Sequence, residues 1–138
     1  MALDVGSKRI GVAVADPTGT FALPVTVLER TNLKADLDRV LELTQEYGAS
    51  ELVIGDPVTM SGERGIAAEK IDRFVEHIAR VFSGRIVRVD ERLTTAQATK
   101  SLIAADVSRS KRKAVVDKMA AALILETYLA RRRNGGTP

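Results

Sequence analysis

The chain contains no cysteine and no tryptophan, and aromatic residues make up only 4% of its 138 residues. Without cysteine, neither a disulfide framework nor a thiolate metal site can form, so a bound metal must be held by oxygen atoms or by the single histidine, His77. The low aromatic content disfavours the stacking platforms by which many proteins hold single-stranded nucleic acids. A nucleic-acid partner is therefore expected to be held through its phosphate backbone.

The sequence also lacks an apolar run long enough to cross a membrane, and its first residues do not have the pattern of a secretion signal. We therefore expect a cytoplasmic protein with no membrane association. A hydrophobic content of 45% is sufficient for one continuous core, and no linker interrupts the chain. These features predict a single domain over residues 1–133 and a disordered tail over residues 134–138.

Hydrophobic periodicity predicts an α/β domain with the element order βββαβαβαα. The predicted strands are Ala2–Val5, Arg9–Ala15, Phe21–Leu28, Glu51–Gly55 and Arg85–Val89. The first helix is expected between a Thr31/Asn32 cap and Gly48, with an apolar stripe of Leu33, Leu37, Val40, Leu41 and Thr44. The second helix is expected to end at Gly84, and its predicted buried face consists of Ala67, Ile71, Phe74, Val75, Ile78 and Phe82. Two more helices are predicted over about residues 94–105 and 111–132. Because helical crossovers normally join parallel strands, we predict a mixed five-stranded sheet, with three antiparallel and then two parallel strands, and helices on both faces.

Three carboxylates occupy positions that ask for an explanation. Asp4 lies inside an apolar strand, where an ionised carboxylate is costly unless it is paired or bound to metal. Glu91 follows the last strand, at the sheet edge where α/β folds place their ligands. Asp117 precedes Ala121 and Ile124 at helical spacing, so it projects from the packed side of its helix.

Each of these acids also has a structural alternative, which is weakest for Asp117, where it is an ordinary solvated charge. Asp4 would then be hydrogen-bonded into the turn at Gly6, and Glu91 would be a surface residue paired with Arg92. Taken together, the three acids form an oxygen-only set that suits Mg²⁺ or Mn²⁺. The chemistry that this set favours is metal-dependent hydrolysis of phosphodiester bonds.

Four segments, in this order, resemble the YqgF (RuvX) family of pre-16S rRNA nucleases, which are distantly related to the RuvC Holliday junction resolvases. The segments are LDVGSKRIGVA at residues 3–13, VIGDP at 53–57, DERLTT at 90–95 and VDKMAAALIL at 116–125. The resemblance covers nearly the whole chain and implies an RNase H-like fold with Asp4, Glu91 and Asp117 as the catalytic, metal-binding acids. Asp56 departs from the family pattern, which usually has an apolar residue before the proline. We expect Asp56 to belong to a loop, because a fourth carboxylate in the metal site would add repulsion.

Basic residues near these segments are candidates for binding the nucleic-acid backbone. They are Lys8, Arg9, Arg92, Arg109, Lys111, Arg112 and Lys113. For Lys8 and Arg9 the alternative is a solvated hairpin tip. The formal net charge of +3 permits a polyanionic partner without identifying one.

The preferred function is a metal-dependent nuclease that processes the 5′ end of pre-16S rRNA in ribosome biogenesis. A Holliday junction resolvase acting on branched DNA, or a non-catalytic nucleic-acid-binding module, are the alternatives that the sequence leaves open. An ATP-binding module of the actin type is excluded, because such proteins pair two domains and this chain has length for one. We expect a monomer or a weak homodimer.

Overall fold

The computed structural model describes residues 1–57, 65–91 and 110–133, with side chains described for all of these except residues 110–116. Its elements are β1 Ala2–Val5, β2 Arg9–Ala15, β3 Ala22–Glu29, α1 Leu33–Glu46, β4 Glu51–Asp56, α2 Ile66–Ala79, β5 Arg85–Asp90 and α3 Ser110–Arg133. The five predicted strands are confirmed, with small shifts at their ends. The predicted helix over residues 94–105 and the predicted tail over residues 134–138 lie outside the described residues.

The five strands form a mixed sheet with the order β3-β2-β1-β4-β5. β1 pairs antiparallel with β2, and β2 pairs antiparallel with β3, as their short connections allow. β4 pairs parallel with both β1 and β5. Parallel pairing needs a crossover connection, and α1 and α2 provide these crossovers before and after β4. The predicted mixed five-stranded sheet is therefore confirmed.

Two apolar cores lie on opposite faces of the sheet, because successive side chains of a strand point to opposite sides. On one face, Leu3, Ile10 and Val12 pack with residues of α1 and α2. On the other face, Ala2 and Ala13 pack with residues of α3. Helices therefore cover both faces, as predicted.

The ends of α1 agree with the capping signals, whereas its buried stripe differs from the prediction. The Asn32 side chain accepts a hydrogen bond from the Ala35 amide at 2.9 Å, and Gly48 follows the helix with a left-handed φ of 61°. The buried residues of α1 are Asp36, Val40, Leu43 and Thr44. Leu41 is only partly buried, so the stripe is rotated toward Leu43 and includes an acid that the periodicity did not predict.

The buried face of α2 also differs from the prediction by one position. Ala68 is fully buried, whereas Ala67 is exposed. Phe82 lies beyond the end of the helix, where it packs against the core from the connection to β5. Alanine is small enough to be placed at either edge of an apolar stripe, so the pattern did not distinguish the two neighbours.

α3 is the longest helix in the described part of the chain, with 24 residues. Its packed side carries Ala121, Ile124 and Tyr128, which lie against the sheet. None of the described helices combines the length and apolarity that crossing a bilayer requires.

Candidate active site

The carboxyl ends of β1, β4 and β5 meet at one edge of the sheet because the three strands run parallel. Asp4 lies next to the last residue of β1, and Glu91 directly follows β5. Gly55 lies near the end of β4, between them in the sheet. This edge is where parallel sheets commonly place their functional side chains.

Asp4 and Glu91 lie on the face of the sheet that α3 covers. Ala2 and Val89, two positions before these acids, belong to the core beneath α3, and strand side chains repeat their direction every second residue. The Glu91 side chain lies over the backbone of β4, since a Cβ atom added at Gly55 would be 2.8 Å from Glu91 Oε1. The absence of a side chain at Gly55 therefore leaves the space that Glu91 occupies.

Asp117 reaches the same face from α3. Gly11 pairs with Asp4 across the β1–β2 ladder, and a Cβ atom added at Gly11 would clash with the backbone carbonyl of Asp117. The helix backbone at Asp117 therefore rests directly on β2, beside the strand position of Asp4. The Asp117 side chain itself is partly buried.

A cleft of about 440 Å³ opens at this edge and is lined by both Asp4 and Glu91. The two side chains are only 5% and 8% exposed, although both carry ionisable carboxylates. Two cationic residues, Arg30 and Lys70, line the same cleft. The cleft thus brings oxygen ligands and positive charge together in one place.

The donor set suits a divalent metal in type, since carboxylate oxygens are the ligands that Mg²⁺ and Mn²⁺ prefer. However, among residues 1–57, 65–91 and 110–133, no three acids or histidines lie close enough together to hold a metal ion. The three predicted ligands share a face and an edge of the sheet without forming a closed metal site.

Asp56 lies on the opposite face from the three acids. It is the last residue of β4, rather than a loop residue as expected, and it alternates with Gly55. Its Oδ1 atom accepts a hydrogen bond from Arg88 Nη2 at 3.0 Å, and Arg88 also donates to Asp72 of α2 at 3.1 Å. Asp56 is therefore part of an ion-pair network between the sheet and α2.

The predicted basic residues are only partly described. Lys8 is exposed in the turn after β1, and Arg9 donates to Glu29 Oε1 at 3.1 Å across the β2–β3 pair. Neither residue lines the cleft that holds Asp4 and Glu91. Arg92 and Arg109 lie outside the described residues. Lys111, Arg112 and Lys113 begin α3, and their side chains also lie outside the described part.

Two residues near the acids were missed by sequence reasoning. Arg30 lies just after β3, and Lys70 lies in the first half of α2. Lys70 stands one position before Ile71, on the solvent side of a recognisable amphipathic helix, so its exposure was readable from the sequence. Arg30 carried no such signal, because its position depends on contacts between segments that are distant in the sequence.

The mixed five-stranded sheet with helices on both faces is an RNase H-like fold. T. thermophilus RuvC, solved in complex with a Holliday junction substrate, is similar to this chain with a TM-score of 0.59 and 13% sequence identity. The similarity covers 99% of this chain and 96% of that one. At this identity the similarity establishes the fold.

Sequence similarity gives the family. The family model described as RuvX, Holliday junction resolvase, matches residues 1–131. A protein of Thermoanaerobacter pseudethanolicus is 46% identical over 135 residues, covering 97% of each chain, and one of Desulforudis audaxviator is 44% identical, covering 98% of this chain and 96% of its own. Both are named "Putative pre-16S rRNA nuclease". This chain belongs to the RuvX family.

Proposed function

We propose that this chain is a metal-dependent nuclease that hydrolyses phosphodiester bonds in precursor 16S rRNA, in the cytoplasm, during maturation of the 5′ end. Asp4, Glu91 and Asp117 are the catalytic carboxylates in this proposal. The observation that carries it is the arrangement of three acids from three distant segments on one face of the sheet, around Gly11 and Gly55. The names of the similar proteins support the choice of substrate.

Asp4 and Glu91 are the residues that would hold a divalent ion first, because both line the same cleft. Asp117 would complete the ligand set from α3. When bound, Mg²⁺ or Mn²⁺ supplies Lewis acidity at the phosphate and lowers the pKa of a water molecule. Because Asp4 and Glu91 are almost fully buried, the residues packed around them limit the access of bulk water. Arg30 and Lys70, the cations that line the same cleft, would orient the phosphate.

The basic residues chosen from the sequence remain candidates for contacts with the nucleic-acid backbone. These are Lys8 and Arg9 in the first hairpin, Arg92, and the basic residues from Arg109 to Lys113. Contacts of this kind fix the position of a substrate and carry little sequence information.

A second function, cleavage of four-way DNA junctions, is favoured by two observations. T. thermophilus RuvC, which has the same fold, was solved with a Holliday junction substrate, and the matching family model is described as a resolvase. A resolvase cuts two symmetric strands and is expected to act as a dimer.

A side-by-side cleavage assay tests the proposal. The purified protein is given a 16S rRNA precursor containing its 5′ leader, and a four-way DNA junction, each with Mg²⁺, Mn²⁺ or EDTA. We expect metal-dependent shortening of the RNA leader and little cleavage of the junction. Preferred cleavage of the junction would instead support the second function.

Glu91→Gln is the test variant, and Asp38→Asn is its matched control because Asp38 is an exposed acid on α1 away from the cleft. The first variant is expected to lose cleavage and the second to retain it. Cleavage that survives in Glu91→Gln would place the activity elsewhere or in a contaminant. Wild-type protein that cleaves neither substrate with either metal would contradict the proposed function.

A further inference from the structure

A second cavity adjoins the cleft that holds the acids. The cleft has a volume of about 440 Å³ and the second cavity about 370 Å³. The same three residues, Ser7, Arg30 and Lys70, line both of them. The two cavities therefore form one groove, which runs from the carboxylates past the start of α1 and along α2. We call this the Arg30 groove.

The lining of the Arg30 groove becomes more positive from the carboxylates to the outer end. At the inner end, the lining includes two acids, Asp4 and Glu91, and two cations, Arg30 and Lys70, so their formal charges balance. At the outer end the lining includes Arg30, Lys70 and Arg73, with Asp36 as the acid among them. The outer end is therefore net positive, and it suits a ligand whose negative charge continues beyond the carboxylate site.

Arg30 is held rigidly at the junction of the two cavities. Its Nε atom donates to Asp36 Oδ2 at 3.0 Å, its Nη1 atom donates to the Gly6 carbonyl at 2.9 Å, and its guanidinium carbon lies 5.7 Å from the centre of the Phe74 ring. A guanidinium carries further N–H donors beyond those used in these two bonds. Because the contacts fix its plane, Arg30 is a preorganised donor for a phosphate oxygen.

Lys70 and Arg73 are the exposed cations of the groove. They lie three residues apart on α2, so they are neighbours on one side of the helix, and both are exposed. Neither forms a salt bridge with another residue in the described part of the chain. Phe74, which also lines the outer end, is only 1% exposed and offers no open ring for stacking on a base.

We propose that the Arg30 groove binds the sugar-phosphate backbone of the nucleic-acid strand that leads away from the scissile bond. Lys70 and Arg73 contact successive phosphates, and Arg30 binds the phosphate nearest to the carboxylates. This inference rests on the proposed nuclease function for the direction of the strand, and on charge and shape for its location. Binding there is independent of base identity and depends strongly on salt.

Binding without cleavage tests the groove separately from the catalytic proposal. Fluorescence anisotropy measures the affinity of labelled 16S leader RNA, and of a labelled four-way DNA junction, in EDTA at several salt concentrations. Lys70→Ala and Arg73→Ala are each expected to weaken binding of the favoured substrate by roughly three- to tenfold and to reduce the slope of log affinity against log salt by about 1. The substrate whose binding affinity falls more in these variants, the RNA or the DNA junction, is the one that the groove binds.

Arg80→Ala is the matched control, because Arg80 is an exposed cation that caps the end of the same helix and lines neither cavity. It is expected to bind like the wild type. The proposed binding groove would be contradicted if the double variant Lys70→Ala/Arg73→Ala bound with wild-type affinity. It would also be contradicted if Arg80→Ala lost as much affinity as the groove variants.

The two proposals fail in different ways. If the groove variants bind normally while Glu91→Gln abolishes cleavage, the groove is wrong and the nuclease proposal stands. If the groove variants lose binding but no metal supports cleavage, the groove stands as a nucleic-acid site and the nuclease proposal fails.

Discussion

On β1 and β2, the two faces of the sheet are built from residues of different size. The buried apolar or glycine positions of these strands beneath α3 are Ala2, Gly11 and Ala13, whereas those beneath α1 and α2 include Leu3, Ile10 and Val12. Small residues let a helix backbone approach the strands closely, and bulky ones keep it at a distance. The close approach of α3 to Gly11 brings the backbone of Asp117 beside the strand position of Asp4, so the small residues of β1 and β2 also shape the candidate site.

The two sides also use buried carboxylates differently. Asp36, on the side of α1, is 5% exposed and accepts hydrogen bonds from Arg30 Nε at 3.0 Å and from the Thr31 amide at 3.1 Å. Asp4 is equally buried but lines the cleft. Burial alone therefore does not identify a candidate catalytic acid. Asp4 shares its cleft with a second buried acid, Glu91, whereas Asp36 lines the outer cavity beside Arg30, the cation that it holds.

The largest expected effects on stability compare the two faces directly. Phe74→Ala removes a fully buried ring beneath α2 and is expected to cost about 4 kcal/mol of unfolding free energy. Gly11→Ala adds only a methyl group, but it forces α3 away from β2, and we expect a cost of about 3 kcal/mol. Chemical denaturation measures both.

Gly65→Ala is the control for Gly11→Ala, because an added Cβ at Gly65 would meet no atom within 4 Å. We expect it to change stability by less than about 0.5 kcal/mol. If Gly11→Ala lowered the unfolding free energy no more than Gly65→Ala, the close contact between α3 and β2 would not limit the size of residue 11. The proposed difference in packing between the two faces would then be contradicted.

Asp4→Asn is expected to affect activity rather than folding. We expect a loss of cleavage of at least about a hundredfold, the usual scale for removing one electrostatic group from a catalytic site. Thermal unfolding gives an independent reading: Mn²⁺ should raise the Tm of the wild type by binding the folded state, and it should raise the Tm of Asp4→Asn less. An equal rise in both proteins would show that Asp4 is not a metal ligand.

Asp36→Asn is expected to show the opposite pattern. It weakens the ion pair with Arg30, and because the Arg30 side chain is 22% exposed we expect a loss of about 2 kcal/mol, below the range for fully buried pairs. Metal binding should be unchanged. Asp38→Asn, on the exposed side of the same helix, serves as the control, and equal stability of the two variants would contradict a structural role for Asp36.

The strands, the mixed sheet and the caps of α1 could be predicted from the sequence, because they depend on local periodicity and on side chains such as Asn32. It also indicated which acids share an edge, since parallel strands end together. Because side chains alternate in direction along a strand, Asp56 lies on the opposite face of β4 from Gly55 and the three acids. This could have been predicted from the sequence, although Asp56 was expected in a loop. The buried position of Asp36, four residues before Val40, was not predicted, because an apolar periodicity does not identify an acid as a member of the buried face.

Other features depend on three-dimensional packing and had no local signal. The glycines at positions 11 and 55 follow strand patterns like any small residue, and only the approach of α3 and Glu91 explains why no side chain fits there. The place of Arg30 depends on Gly6, Asp36 and Phe74, which come from three separate segments. Pairing of distant segments of this kind cannot be read from periodicity.

The smallest expected effect concerns Asp16, an acid in the turn between β2 and β3 that belongs to neither face. Its carboxylate accepts hydrogen bonds from the Thr18 hydroxyl and from the amides of Phe21 at 2.9 Å and Thr20 at 2.8 Å. These bonds, that of Thr18 foremost, lower the pKa of Asp16 below its ordinary value of 3.8. The carboxylate form is thus favoured in the folded state.

A depressed pKa stabilises the fold above the unfolded pKa, and this stabilisation is lost as the pH falls through the folded pKa. We therefore expect Asp16→Asn to be slightly less stable than the wild type near neutral pH, with the difference shrinking below about pH 4 as the wild-type carboxylate becomes protonated. Chemical denaturation of both proteins across this range measures the difference. A difference that stays constant would mean that Asp16 acts through the shape of its turn, and that its charge contributes as little as an exposed acid on either face.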